Sequence, residues 1–402
     1  MTLSRVEQWL WRAVLVTLPL GTIWILRFGE INGMPWALGN IGIGVGEAVA
    51  VCATAVSLLR SGIRGRFSVW LLAMAWLGLL FGRALGVPEA LVSMLMILRY
   101  GLALLIVALM IPREEFVKWW AIGTVIPCVV GAMQVLFPGD IHGSTLLGIA
   151  PHVLSAGGTS VVEVAGRRIM RAYGTFPHPN IFGAYLAITI ALVLRERERW
   201  ANYALVILGF VLALTFSRGA IIAVVVYFVV VMLSKAKHPG VKDPSLALRM
   251  TAVTVGLILG IALFAPAYGV RVGAEQGRLE TKSVDERVQS LKSGWRLFQS
   301  QPLVGVGVLQ SVPTLAQNDT SEPVWSFESA HFLPLLMLAE WGILGAILFF
   351  AFIALEIKRE MIPLAILLVA LACFDHALFT SAQLVLLVPI AVQMVSRPYE
   401  SS

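Results

Sequence analysis

Apolar runs long enough to cross a bilayer recur from one end of this 402-residue chain to the other, broken by short polar or basic segments. A bilayer core takes about twenty apolar residues per helix, and inside it backbone N–H and C=O groups must be satisfied within the segment, so such runs fold as helices. With 58% of residues hydrophobic and 13% charged, a soluble core has no room for this much apolar surface. The expected fold is an all-α integral membrane protein with about twelve transmembrane helices. The spans fall near 9–27, 41–59, 67–86, 90–111, 117–137, 180–194, 201–217, 219–233, 250–267, 330–355, 361–374 and 377–395. Asp375-His376 splits the last apolar block, so eleven spans is the alternative. The first run, Trp9 to Leu26, is expected to be a retained span, because it is long and lacks a small-residue cleavage site.

Lysine and arginine set the orientation. With the N-terminus inside, segments 60–66, 113–118, 195–199, 235–249 and 358–359 face the cytoplasm, each carrying at least two basic residues, and Arg397 of the tail follows them. Two long segments, 138–179 and 268–329, then become external loops of a single polytopic domain covering 1–402. They hold Arg167, Arg168, Arg171, Arg271, Arg278, Lys282, Arg287, Lys292 and Arg296, cations that orientation does not require. The net charge of +7 points to membrane lipids rather than nucleic acid, since the basic residues sit in short loops between spans. Cys52, Cys128 and Cys373 lie in apolar runs without ligand spacing, which argues against a disulfide framework.

The second external loop has internal order. Ser283-Val-Asp-Glu286 has the form of a capping box, and Val288, Leu291, Trp295 and Phe298 recur at helical spacing. Pro302 stops the pattern and Gly305-Val-Gly307 makes a turn. The expectation is an amphipathic helix against the membrane face, with Arg287 and Arg296 among its polar positions. Covering the bundle is sufficient reason for such a helix; a substrate role depends on where Arg287 points.

Basic groups at membrane edges suit the phosphates of a lipid-linked substrate. Arg218 sits at a tight reversal between two apolar runs, and its guanidinium fork suits phosphate; a snorkelling helix-end arginine is the plainer alternative. His331 lies where the second loop re-enters the membrane, at helical spacing from Glu328, and can accept a proton from a hydroxyl or donate to a phosphate. Its plainer reading is a hydrogen-bonded interfacial histidine. Arg171 precedes Phe176-Pro-His178-Pro-Asn180, a stiff lead-in in which Asn180 is expected to cap the sixth span. That explains Pro179 and Asn180 without function, but not Arg171 or His178. Arg99 lies mid-span and needs a partner, for which Glu47, Glu340 and a backbone carbonyl are the candidates. Asp375-His376 is expected to be a turn. His142, His152, His178, His238 and His376 show no metal spacing with His331, so no metal site is expected. No nucleotide or dinucleotide signature occurs, and no cofactor is expected.

Arg171-x-x-Gly174-x-Phe176-x-His178-Pro-Asn180, then Thr215-Phe-Ser-Arg218-Gly, then Arg287 followed by Pro302-x-x-Gly305-x-Gly307, then His331 and Glu340-x-Gly342, resemble the O-antigen ligase and polymerase superfamily in order and spacing. The resemblance covers roughly 165–350 and the twelve-span layout. It implies a multi-pass glycosyltransferase of the bacterial inner membrane, independent of metal, with its active site on the periplasmic face. The donor it implies is an undecaprenyl-diphosphate-linked glycan; the acceptor is a lipid or glycolipid hydroxyl such as a sugar of the lipid A core. By the same resemblance Arg218 and Arg287 engage the diphosphate, and His331 matches the essential histidine of the last large loop. Phe332 stands where that family often has Asn. Arg171, His178, Asn180, Glu328 and Arg296 are the accompanying substrate-binding candidates. A repeat-unit polymerase or a protein O-oligosaccharyltransferase shares donor and fold and differs only in acceptor. A secondary anion transporter, for which Arg99 and Glu47 would suit a path, is the more distant alternative.

Overall fold

The computed structural model describes residues 2–61, 67–137, 139–236, 245–271, 278–319 and 323–396. Arg397, His238 and the side chains of Arg278 and Lys282 lie outside the described residues. The chain opens with α1 (Leu3–Thr17), then β1 (Ile23–Arg27), β2 (Glu30–Ile31), β3 (Met34–Pro35) and β4 (Ile41–Gly44). Helices α2 (Val45–Ser61), α3 (Phe67–Ala84), α4 (Ala90–Leu109) and α5 (Glu115–Leu136) follow, then the hairpin β5 (Val161–Val164) and β6 (Arg167–Met170). Next come α6 (Pro179–Val193), α7 (Arg199–Leu214), α8 (Arg218–Ala236), α9 (Ser245–Leu263) and α10 (Ala265–Arg271). The rest is α11 (Arg278–Ser300), α12 (Ser311–Asn318), α13 (Leu333–Glu356), α14 (Ile362–Phe374), α15 (Ala377–Thr380) and α16 (Ala382–Ser396).

The molecule is a mostly helical membrane protein. A helix occupies each expected span position, and four of them (α4, α5, α9 and α13) are long and apolar enough to cross a bilayer by themselves. Three short two-stranded ribbons interrupt the helices without changing the class. The run placed at 9–27 is helical only to Thr17, because Leu18-Pro19 disfavours helix and the β-branched stretch after Gly21 takes the extended form. Its β1 pairs antiparallel with β4, so 41–44 belong to a hairpin rather than to the second span. The last expected span is likewise two pieces, α15 and α16.

The α11 helix starts at Arg278, five residues before Ser283, so the expected capping box lies inside the helix and caps nothing. Ser290, Gly294 and Leu297 are its buried face, with α13 packed against it. Val288, Leu291 and Trp295 form the expected stripe and face outward, 44%, 38% and 50% exposed, as suits a helix beside lipid. Arg287 shares the inward face with Ser290 and Gly294 by helical spacing, whereas Arg296 is exposed.

The Pro302-x-x-Gly305-x-Gly307 motif builds a scaffold. Gly342 breaks α13 with φ 68°, a left-handed value, and a Cβ there would sit 2.3 Å from the Leu303 carbonyl oxygen. The loop repairs the break: Ile343 N–H donates to Pro302 C=O at 2.9 Å and Leu344 N–H to Leu303 C=O at 3.1 Å. Val306 and Gly307 N–H donate back to the carbonyls of Ala339 and Glu340. The Glu340 carboxylate accepts from Leu309 N–H (2.8 Å) and Ser311 Oγ (2.8 Å), so it is not the partner of Arg99. Arg99 pairs with Glu47 at 2.8 Å and also donates to Gly42 C=O at 3.2 Å. An aromatic cluster of Trp76, Tyr100, Trp341, Phe349 and Phe379 ties α3, α4, α13 and α15 together, and Tyr100 donates to Phe379 C=O at 2.8 Å. It anchors α15, and with it the polar break at Asp375-His376.

Candidate functional site

The site grows from the reversal between α7 and α8. A helix leaves its last carbonyls without intrahelical partners, and their negative partial charge favours cations. Here Leu214 C=O accepts from Ala172 N–H (3.0 Å), Thr215 C=O from Arg171 Nε (2.8 Å) and Phe216 C=O from Arg271 Nη2 (3.0 Å). Phe216 holds a left-handed φ of 50° to make the turn, its ring buried against Phe264 and Tyr268. Arg218 therefore opens α8 rather than ending the helix before it, and its Nη1 donates to Arg271 C=O. Gly219 lets α14 close in, since a Cβ there would lie 2.5 Å from Phe374 Cβ.

These elements enclose a cavity of about 220 Å³. Arg218, Arg271 and Arg287 line it from three different elements, with Asn180, Ser217 and Asp375 beside them. Its remaining walls are apolar, including Ala184, Ile222, Leu371 and Leu378. Three guanidinium groups against one carboxylate leave the cavity cationic, and the N-terminus of α8 adds its positive end. A polyanion with an apolar tail matches that lining.

A network of histidines and carboxylates adjoins the cavity. His331 Nε2 is 3.2 Å from Glu328 Oε2, and its ring stacks on His376 with centroids 5.3 Å apart. His331 Nδ1 is buried and has no hydrogen-bond partner among the described residues. Burial alone would lower the His331 pKa, but the Glu328 hydrogen bond and the Asp375 charge outweigh it and raise it. Burial pulls Asp375 the opposite way, yet the surrounding His376, His331 and His178 hold its carboxyl below the usual range. His376 is lowered by burial despite Asp375, and its Nδ1 is 2.7 Å from Thr380 Oγ1.

Among the expected residues, the fold brings Arg218, Arg287 and Asn180 to the cavity and sets His331 with Glu328 next to it. Arg171 stands behind it, buried, with its guanidinium on Thr215 C=O and Asn180 Oδ1 (2.7 Å). Asn180 does not cap α6. His178 does: its Nδ1 accepts from Asn180 N–H at 3.1 Å, because Pro179 occupies the first helical turn. His178 Nε2 then faces Ser160 Oγ at 2.9 Å, and burial with the Arg171 charge drives its pKa down to about 3, so the ring stays neutral. Arg296 is exposed and absent from the cavity lining.

Sequence reasoning passed over Arg271, Asp375 and His376. The signals were a surplus external arginine and a polar pair inserted in an apolar block. Spacing along the chain also misled about histidines: ligand atoms of His331, Asp375 and His376 lie within 4.8 Å of one another, a grouping able to hold a small cation. Residues 203–350 match the family model described as O-Antigen ligase. That stretch supplies Arg218, Arg271, Arg287 and His331, whereas Arg171, Asn180 and Asp375 lie outside it. Comparison with curated proteins gave no match.

Proposed function

We propose that this chain, whose residues 203–350 match the O-Antigen ligase family model, transfers a glycan from an undecaprenyl-diphosphate carrier to an acceptor hydroxyl, such as a lipid A core sugar, on the periplasmic face of the bacterial inner membrane. The observation that carries this is the convergence of Arg218, Arg271 and Arg287 on one apolar-walled cavity. In this reading the twelve helical positions cross the bilayer, the first as α1 alone and the last as α15 and α16 together, and loops 138–179 and 268–329 face the periplasm, each supplying arginines around the α7–α8 reversal.

The chemistry follows from the charges. The bond from the sugar's anomeric carbon to the diphosphate oxygen breaks as the acceptor oxygen bonds to that carbon, with inversion. Negative charge grows on the leaving diphosphate, and preorganised guanidinium groups in a low-dielectric setting stabilise it most as that happens. Glu328 accepts from His331 Nε2–H and so holds the tautomer whose Nδ1 lone pair takes the acceptor's proton. Asp375 stabilises the imidazolium that results. Arg171 and Asn180 position the cluster without touching the diphosphate.

The test is glycan transfer by purified protein from a defined lipid-diphosphate donor. Arg218→Ala and His331→Ala, expressed at normal level, are expected to abolish it; full transfer by both would overturn the reading. The acceptor is read in cells lacking the protein. Loss of polysaccharide capping on the core marks a ligase, loss of chain length a polymerase, and loss of glycan from protein an oligosaccharyltransferase.

A further inference from the structure

The arginine cavity occupies one end of α6, α8 and α14, and a second cavity of about 230 Å³ occupies the other end of the same three helices. On α6 the first is lined by Asn180 and Ala184, the second by Ala191 and, one step past the helix, Leu194 and Arg195. On α8 the lining passes from Arg218 and Ile222 to Tyr227, Val231 and Ser234. The 15 residues of α6, at a rise of about 1.5 Å each, make it roughly 22 Å long, most of a bilayer core, and the two cavities lie toward its opposite ends. The second cavity therefore belongs to the opposite membrane face.

Arg195, Arg197 and Arg249 line it together with the Glu360 carboxylate, and Glu196 lies close enough to feel the charges of Arg195 and Arg249. Its walls are apolar: Phe228, Val231, Leu246 and Leu364. Arg195 and Arg197 are exposed at the rim, as helix-end arginines often are. Arg249 is different, only 2% exposed, on the wall of the cavity with its Nη1 donating to Ser245 Oγ at 2.8 Å. A positive surplus over an apolar wall at a membrane edge matches an anionic amphiphile, its phosphate on the guanidinium forks and its first acyl carbons on the wall.

We infer that this cavity binds the phosphate of an anionic phospholipid on the face opposite the glycan-transfer cavity. The inference stands whether or not the transfer reaction is as described above. It is tested on the purified full-length protein in neutral detergent, with phosphatidylglycerol, phosphatidylcholine and inorganic phosphate added separately. Native mass spectrometry reads binding, and the unfolding midpoint reads stabilisation by mass action. Phosphatidylglycerol is expected to bind and raise the midpoint with concentration, and phosphatidylcholine to do neither. The rim variant Arg195→Gln/Arg197→Gln, which leaves the core intact, is expected to weaken that binding about tenfold or more; Arg249→Gln is the stricter second variant. Arg218→Gln, in the other cavity, is expected to keep it in full. Undiminished phosphatidylglycerol binding by the rim variant overturns the inference, as does its loss in Arg218→Gln. An equal effect of inorganic phosphate would overturn the lipid assignment.

Discussion

Asn180 Nδ2 donates to Asp375 Oδ2 at 3.0 Å, joining the start of α6 to the break after α14 across 195 residues of chain. The same amide accepts from Arg171 at 2.7 Å, so one neutral side chain holds a cation and an anion apart at the edge of the cavity. Asn180→Asp keeps the shape, removes the donor and sets a second carboxylate beside Asp375. Like charges at this distance raise each other's pKa and offset the cationic surplus. Transfer is expected to fall by about tenfold or more, with KM for the lipid-diphosphate donor rising; an Asn180→Asp protein with unchanged KM would count against the cavity as the donor site.

Arg218 and Arg287 differ from lysine in geometry as well as charge. A guanidinium fork meets two phosphate oxygens at once, which an ammonium does not. Arg218→Ala and Arg287→Ala are each expected to lower kcat by roughly 10²–10³-fold, the usual effect of removing one preorganised charge-stabilising donor. Lysine at either position should recover part of that loss. Complete recovery by lysine would show that field alone matters there, and not the fork.

The raised pKa of His331 has a directional consequence for rate. A general base works only when unprotonated, so the acid limb of kcat/KM is expected above the ordinary histidine value of about 6.5. Glu328→Gln removes the charge that supports the imidazolium, and the limb should move to lower pH. For stability the sign is opposite: His331 contributes below its unfolded pKa, and the contribution is lost as pH rises through the folded value. A limb unmoved in Glu328→Gln would remove His331 as the titrating base.

His331, Asp375 and His376 could bring a divalent ion into the site. The expectation remains metal-independent transfer, since the arginines already supply the charge a cation would bring. Protein treated with a strong chelator and then dialysed should transfer glycan at the untreated rate. Activity lost to the chelator and restored by zinc alone would reassign the three residues as ligands.

Glu340 is predicted to matter for folding rather than for chemistry. Buried in α13, it accepts from Leu309, Ser311 N–H and Ser311 Oγ, and so pins the loop that repairs the Gly342 break. Glu340→Ala leaves those donors unmet at a cost of about 1–3 kcal/mol each when buried. The protein should lose detergent stability and yield, and fold well enough to be recovered with glutamine there. A normal melting profile for Glu340→Ala would argue against the scaffold role of the motif.

The helical positions were legible because hydrophobic runs and basic loops are local properties, and so was the excess of external arginine. Legibility ended where a residue's neighbour is distant in the chain. The run from Trp9 failed as one span because Leu18-Pro19 and the pairing of β1 with β4 overrode its hydrophobicity. Ser283 looked like a cap because the helix was assumed to begin there, whereas it begins at Arg278. His376 seemed remote from His331 by count, yet their rings stack once α15 docks in the aromatic cluster.

By itself, the order of amino acids determined a membrane protein, most of its helix positions, its surplus of cations and the order of the motifs that resemble the O-antigen ligase family. Which cations share a cavity was decided only by the tertiary structure. A guanidinium's use depends on what its fork reaches: Arg171 serves the carbonyl of Thr215 and the amide of Asn180 behind the cavity, while Arg218 and Arg271 also serve carbonyls yet line the cavity with Arg287. Nothing in the spacing of four arginines distinguishes these fates, because the carbonyls and helix faces that part them come from α6, α7, α10 and α11 together.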